Sequence, residues 1–333
     1  MQAPDKLTDS LIEDRPAGRI LLAPMEGMVD ALMRDVLTRA APYDWCVTEF
    51  ARVTDTVLPV RFFTRLAPEL RQGARTAAGT AVRVQLLGSD PDMLALNADR
   101  LARLAPAGID LNFGCPAPTV NRHRGGAVLL DEPDLLYRIV RAVAAAIGDR
   151  VPLTAKMRLG VRDTARAQEA AQALAEGGAQ MLVVHARTKQ DGYKPPAHWP
   201  WIARVAEAVS VPVVANGEIW TVDDYQRCRS ESGMRDVMLG RGAVADPFLV
   251  ERLRAHQAGQ LPRLASDDWP RLRPLLHAYW AAVQDKVEAR HAPGRFKQWL
   301  NLLRRHYPQA EVLYQRVRTL RLPAEISPLL AQA

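Results

Sequence analysis

Only three cysteines occur in the 333 residues, at positions 46, 115 and 228. They form no CxxC pair and lie far apart, which argues against a zinc site and against the disulfide framework of a secreted domain. A cytoplasmic protein without a metal centre is expected. Aromatic side chains are also scarce, at 6%, so Ala, Leu and Val must do most of the packing. No run of about 18 apolar residues is present to cross a bilayer, and no membrane partner is expected. Residues 1–18 are polar and mixed in charge and lack the apolar centre of a signal peptide; they read as a flexible extension. What remains is a hydrophobic fraction of 48%, ample for a large core. The length suits one large domain and a small one.

The first 250 residues also lack net charge. They hold 30 basic and 30 acidic side chains, while the last 83, from Glu251, hold 14 and 7. The whole net charge of +7 therefore sits in the last quarter of the chain. A basic segment on a neutral body suits a polyanion partner, and equally a solvated Arg-rich helical surface.

Short apolar runs recur along the first 240 residues. They begin at Arg19, Trp45, Ala81, Gly108, Leu153, Met181, Val211 and Asp236, each bounded by Gly, Pro or Asn. Ala- and Leu-rich stretches of helical spacing lie between most of them. An open doubly wound sheet competes, but eight alternations favour a (β/α)8 TIM barrel, an α/β fold. The segment 51–80 is long for a connection between strand and helix, and is expected to supply a helix and then a mobile arm. After residue 258 strand signals vanish and the pattern is helical and basic. The expected division is a barrel over residues 19–258 and a small all-α domain over residues 259–333.

Polar residues gather where the strands of a barrel would end, the face that carries barrel active sites. They are Pro24, Met25 and Glu26; Gln85; Asn112 and Cys115; Lys156 and Arg158; His185 and Arg187; Asn216, Gly217 and Glu218; and Gly240 and Arg241. Lys156 is the most informative, because an ammonium in an apolar strand needs an anion or a ligand. Glycines after the last two strands occupy the usual barrel phosphate site. Cys115, held between Gly114 and Pro116, reads either as a small buried hydrophobe or as a reactive group.

Taken in order, LLAPMEGMVD, VQLLG, DLNFGCPAPTV, KMRLG, VVHARTKQDGY, VVANGEI and VMLGRGA resemble the tRNA-dihydrouridine synthases. TEFARVTDTVLP and GRFKQWLNLLR resemble the bacterial subfamily that acts on uridine 16 of the D-loop. The resemblance implies an FMN-containing barrel and a helical tRNA-binding domain, with NADPH as reductant and a monomeric enzyme. It implies reduction of the C5–C6 bond of a tRNA uridine, a hydride reaching C6 and a proton reaching C5. Carried over motif by motif, the flavin contacts would be Pro24, Met25, Glu26, Gln85, Lys156, His185, Asn216, Gly217, Glu218, Gly240 and Arg241. Cys115 would be the acid that protonates C5, since a thiol is largely protonated at neutral pH. Phe113 stands where many relatives carry another cysteine, which leaves Cys115 without a local rival. Asn112 would hydrogen-bond the uracil edge. Arg52, Tyr193, Arg295, Lys297 and Arg318 would meet tRNA, Tyr193 either as a stacking surface or as an ordinary loop tyrosine. Arg122, His123 and Arg124 would meet phosphate or simply be solvated. The competing readings are a flavin barrel that reduces a free pyrimidine, and a tRNA-binding barrel without catalysis.

Overall fold

The computed structural model describes residues 18–332; the expected N-terminal extension lies almost entirely outside the described residues. Eight parallel strands close into a barrel in chain order, and the first pairs with the last. They are β1 (Ile20–Leu22), β2 (Trp45–Arg52), β3 (Ala81–Leu87), β4 (Ile109–Phe113), β5 (Leu153–Arg158), β6 (Leu182–His185), β7 (Val213–Asn216) and β8 (Val237–Leu239). Seven fall within the apolar runs seen in the sequence, and β2 continues two residues past its run, to Arg52.

The alternation of side chains along each strand sets two environments. Ile20, Leu22, Val184, Ala215 and Leu239 point outward and join the core beneath the surrounding helices. Leu21, Val47, Val183, Val214 and Met238 point inward and fill the barrel floor. Above that floor the inward positions turn polar, with Gln85, Asp110, Thr154 and Lys156 on neighbouring strands. The barrel is thus plugged at one end and chemically equipped at the other.

The segment after β2 is no arm. Helix Val60–Leu66 and the 3-10 turn Pro68–Gln72 pack against the barrel, with Phe63 and Ala67 fully buried. A buried ion pair fixes the segment: Arg34 donates from Nε and Nη2 to Glu69 at 2.9 and 3.0 Å. A bidentate pair of this kind is hard to foresee, because its partners stand 35 residues apart.

Beyond β8 the chain is helical, through Arg241–Ala245, Leu249–Gln257, Trp269–Lys286, Ala292–Leu303, Pro308–Val317 and Pro323–Ala331. Trp299 donates from its indole to the Val244 carbonyl at 3.0 Å and packs edge-on to Tyr279 at 4.9 Å. Arg252 bonds Asp246 and Asp268 at 3.0 and 2.7 Å, and the Tyr307 hydroxyl donates to Asp246 at 2.8 Å. The C-terminal helices are therefore fastened to the barrel by both apolar packing and a satisfied buried ionic cluster.

Candidate active site

A cavity of about 530 Å³ opens at the C-terminal ends of the strands, within the size range of cofactor sites. Its lining includes every residue expected to contact flavin, together with Asn112, Cys115 and Tyr193. Arg52, Arg295, Lys297 and Arg318 are not part of that lining. β2 adds Glu49 and Phe50, which the sequence pattern did not single out. A register shift between Val47 and Phe50 turns them to the mouth.

Cys115 is 8% exposed and follows β4 directly. Asn112 holds it in place: its Oδ1 accepts from the amides of Gly114 and Cys115, both at 2.9 Å. Asn112 Nδ2 donates to Gln85 Oε1 at 2.7 Å, and Gln85 Nε2 donates to Asp110 at 2.6 Å. Asp110 also accepts from Thr154 at 2.7 Å. Asn112 thus first orients the cysteine, and one Nδ2 hydrogen remains for a substrate. Asp110 was missed by motif, although its two-residue offset from Asn112 puts both on one face. Burial is the main cause that pushes the Cys115 thiol above its usual range, so the thiol keeps its proton.

The turn over Cys115 requires glycine. Gly126 has φ +68°, and a Cβ there would stand 2.7 Å from the Cys115 carbonyl oxygen. Asn121 and Ala127 close the turn by donating to that same oxygen at 3.0 and 3.1 Å. Arg122, His123 and Arg124 lie exposed on this turn, and Arg124 pairs with Glu132 at 2.5 Å.

The wall from β5 to β8 is cationic. Burial, then the neighbouring Arg158, lowers the Lys156 ammonium to about 8. His185 is held well below its ordinary value, by burial first and then by Arg158, Lys156, Arg187 and Arg241. It is therefore neutral, and its buried Nδ1 has no hydrogen-bond partner within the described residues. Such a wall fits an electron-rich, anionic planar ligand. Gly217, at φ +120°, adopts a backbone conformation that side chains disfavour, and a Cβ there would crowd the His185 ring at 3.2 Å. With Gly240 it leaves backbone bare at the ends of β7 and β8, where barrels hold phosphate. The residues present thus suit a phosphorylated flavin.

Tyr193 projects over the mouth, 55% exposed. Its ring has the Arg158 and Arg241 guanidinium carbons 5.1 and 5.0 Å from its centroid. Arg158 donates to the carbonyls of Gly114, Thr188 and Gly192 at 2.8, 2.9 and 2.8 Å, joining the Cys115 turn to the Tyr193 loop. Arg187 donates to the Lys194 carbonyl at 2.7 Å and pairs with Glu218. The Tyr193 loop is therefore held by guanidiniums from the ends of two strands. The sequence marked Arg158 and Arg187 as strand-end residues but gave no sign of this scaffolding.

Of the residues expected to meet tRNA, Arg52 donates weakly to the Thr119 carbonyl at 3.4 Å. Arg295 pairs with Asp30 at 2.6 Å and donates to the carbonyls of Gly27 and Met28, so it pins the loop after β1. Lys297 donates to the Leu320 and Arg318 carbonyls at 2.9 and 3.3 Å, while the Arg318 side chain is exposed. Among the described residues, no helix is long and apolar enough to cross a membrane.

Residues 21–323 match the family model described as Dihydrouridine synthase (Dus). The chain belongs to the dihydrouridine synthase family. It is 58% identical over 312 residues to the tRNA-dihydrouridine(16) synthase of Pseudomonas putida, covering 94% of this chain and 96% of that one. The protein of the same name from Ralstonia nicotianae is 56% identical over 316 residues, covering 95% and 96%. That of Neisseria meningitidis serogroup B is 44% identical over 321 residues, covering 96% of each. Among solved structures, histamine dehydrogenase from a Rhizobium species superposes with a TM-score of 0.55 at 15% identity, over 79% of this chain and 48% of that one. A 2-naphthoyl-CoA reductase complex gives 0.54 at 12%, over 73% and 50%. These two share the barrel with this dihydrouridine synthase family member, and the likeness is one of fold.

Proposed function

We propose that the protein is an FMN-dependent tRNA-dihydrouridine synthase that reduces the C5–C6 bond of uridine 16 in the D-loop. The observation that carries this reading is the content of one cavity: a protonated thiol on a rigid turn, together with a cationic wall and two bare glycine backbones. Bound there, FMN supplies a hydride to C6 of the uracil, with NADPH as its reductant.

The remaining work belongs to the chain. The Cys115 Sγ proton goes to C5. Its raised pKa keeps that proton in place at neutral pH, and Asn112 fixes the backbone that aims it. The Lys156 ammonium offsets negative charge on the flavin ring, and neutral His185 lies beside it without adding a second charge. Gly217, Gly240 and the Arg241 amide hold the flavin phosphate. A uridine must leave its stack to enter a barrel mouth, and the Tyr193 ring on its braced loop offers it a stacking surface. Residues 19–258 carry this chemistry, while the basic residues 259–333, with Arg52, hold the RNA in the cytoplasm.

The test is reduction by purified protein of an unmodified tRNA transcript with NADPH, followed by mapping of dihydrouridine. Product at position 16 alone is expected. Absence of dihydrouridine, or equal turnover of free uridine, would overturn the reading.

A further inference from the structure

The cationic wall does not stop at the flavin residues. Four side chains alternate ring and guanidinium from the cavity mouth to the C-terminal helices: Tyr193, Arg241, Trp220 and Arg305. The Arg241 guanidinium carbon lies 5.0 Å from the Tyr193 centroid and 5.2 Å from that of Trp220. Arg305, just after helix Ala292–Leu303, places its guanidinium carbon 4.3 Å from the Trp220 centroid. The indole is held fast, because its Nε1 donates to Glu218 at 3.0 Å and Glu218 is itself gripped by Arg187.

Charge along this row is unbalanced. Glu218 is shared by Arg187 and, at 3.9 Å, by Arg241. Arg305 is exposed, and no salt bridge joins it to a carboxylate of the described residues. An exposed guanidinium resting on an aromatic face, with no acid of its own, has more to gain from an anion than from the ring.

We propose that this row is the binding strip for one nucleotide adjoining the reduced base. That nucleotide's base stacks on Trp220 in the place Arg305 occupies here, and its phosphodiester pairs with the displaced Arg305. The inference rests on tRNA being the substrate. It follows from the geometry of extrusion: when one base enters the cavity its neighbour loses a stacking partner, and Trp220 is the next ring after Tyr193, joined to it through Arg241. Aromatic faces accept any base, so the strip secures the strand without reading its sequence. The other anion within reach is the flavin phosphate, and FMN content separates the two.

The experiment compares the full-length flavin-loaded protein with Arg305→Ala and Arg305→Lys, using an unmodified tRNA transcript across a salt series. For Arg305→Ala, tRNA affinity should fall about tenfold, the loss of one charge-assisted contact to phosphate. The slope of log affinity against log salt should flatten by roughly 0.7–0.9, one contact's worth. Arg305→Lys should restore the slope but only part of the affinity, since an ammonium lacks the planar fork. FMN content should be retained in both. Affinity and slope equal to wild type would overturn the strip. Loss of FMN would assign Arg305 to the flavin phosphate instead. A lowered melting temperature with an unchanged slope would reduce Arg305 to a pin between helices and barrel. Wild-type protein that leaves tRNA unreduced would overturn the functional reading itself, whereas active wild type beside an unaffected variant would overturn the strip alone.

Discussion

Cys115 owes its proton to its surroundings. Burial first, and then the Glu26 carboxylate, raise the thiol's pKa, while the Ala117 backbone, Arg158 and Arg52 pull it down by less. Cys115→Ala should therefore leave the site intact and remove a proton donor, at a cost of about 10²–10⁴ in turnover on tRNA. Lys156 makes a separate prediction. Burial depresses its pKa to about 8, so its ammonium is lost as pH rises through that value. A bound anion favours the charged form, and affinity for FMN should fall as pH climbs past about 8. A fluorescence titration with FMN on either side of that pH checks it. Lys156→Met should bind FMN weakly with no inflection there; an unaltered wild-type profile in this variant would show that another group is titrating. The residue types in the cavity were legible in the sequence, because strand ends and motif order mark them. Their division of labour was not. Asn112 was expected on the uracil and is occupied first by the Cys115 backbone, an arrangement set by a turn whose shape no spacing reveals.

At the level of elements, the Cys115 turn is the part most sensitive to shape. Gly126→Ala would force a side chain into a left-handed conformation and against the Cys115 carbonyl. The conformational penalty is roughly 1–2 kcal/mol. Because the clash falls on the backbone of the acid, turnover on tRNA should drop much further than thermal stability or FMN binding. Unchanged kinetics would mean that the turn has other ways to relax. The strands could be read from the sequence because each is a short apolar run between breakers. The packing of 51–80 could not, since it depends on Arg34 meeting Glu69 across the fold. Helix Pro323–Ala331 falls in the stretch expected to be helical, although it contains Pro323 and Pro328, which read locally as breakers. Pro323 sits in the first turn, where the missing N–H costs nothing.

For the molecule as a whole, the separation of charge is the organising fact. A barrel with balanced charge carries the cavity, and the last 83 residues carry the net +7. Affinity for tRNA should accordingly fall steeply with salt. Arg318, exposed and free to reach phosphate, should contribute about one contact to that slope, and Arg318→Ala should flatten it by roughly 0.7–0.9. Arg295 is different, since it also pins the loop after β1 through Asp30. Arg295→Ala should therefore weaken FMN retention along with tRNA affinity, a double effect that a solvated surface charge would not produce.

The central claim joins these scales: a flavin site and an acid on separate strands act on one tRNA base. Rapid mixing of Cys115→Ala, loaded with FMN, tests it most directly by following the flavin absorbance with NADPH and then with unmodified tRNA. The account predicts reduction by NADPH at the wild-type rate, and reoxidation by tRNA slowed about 10²–10⁴-fold, with no dihydrouridine formed on the wild-type timescale. Reoxidation by tRNA at the wild-type rate, with dihydrouridine in the product, would contradict it.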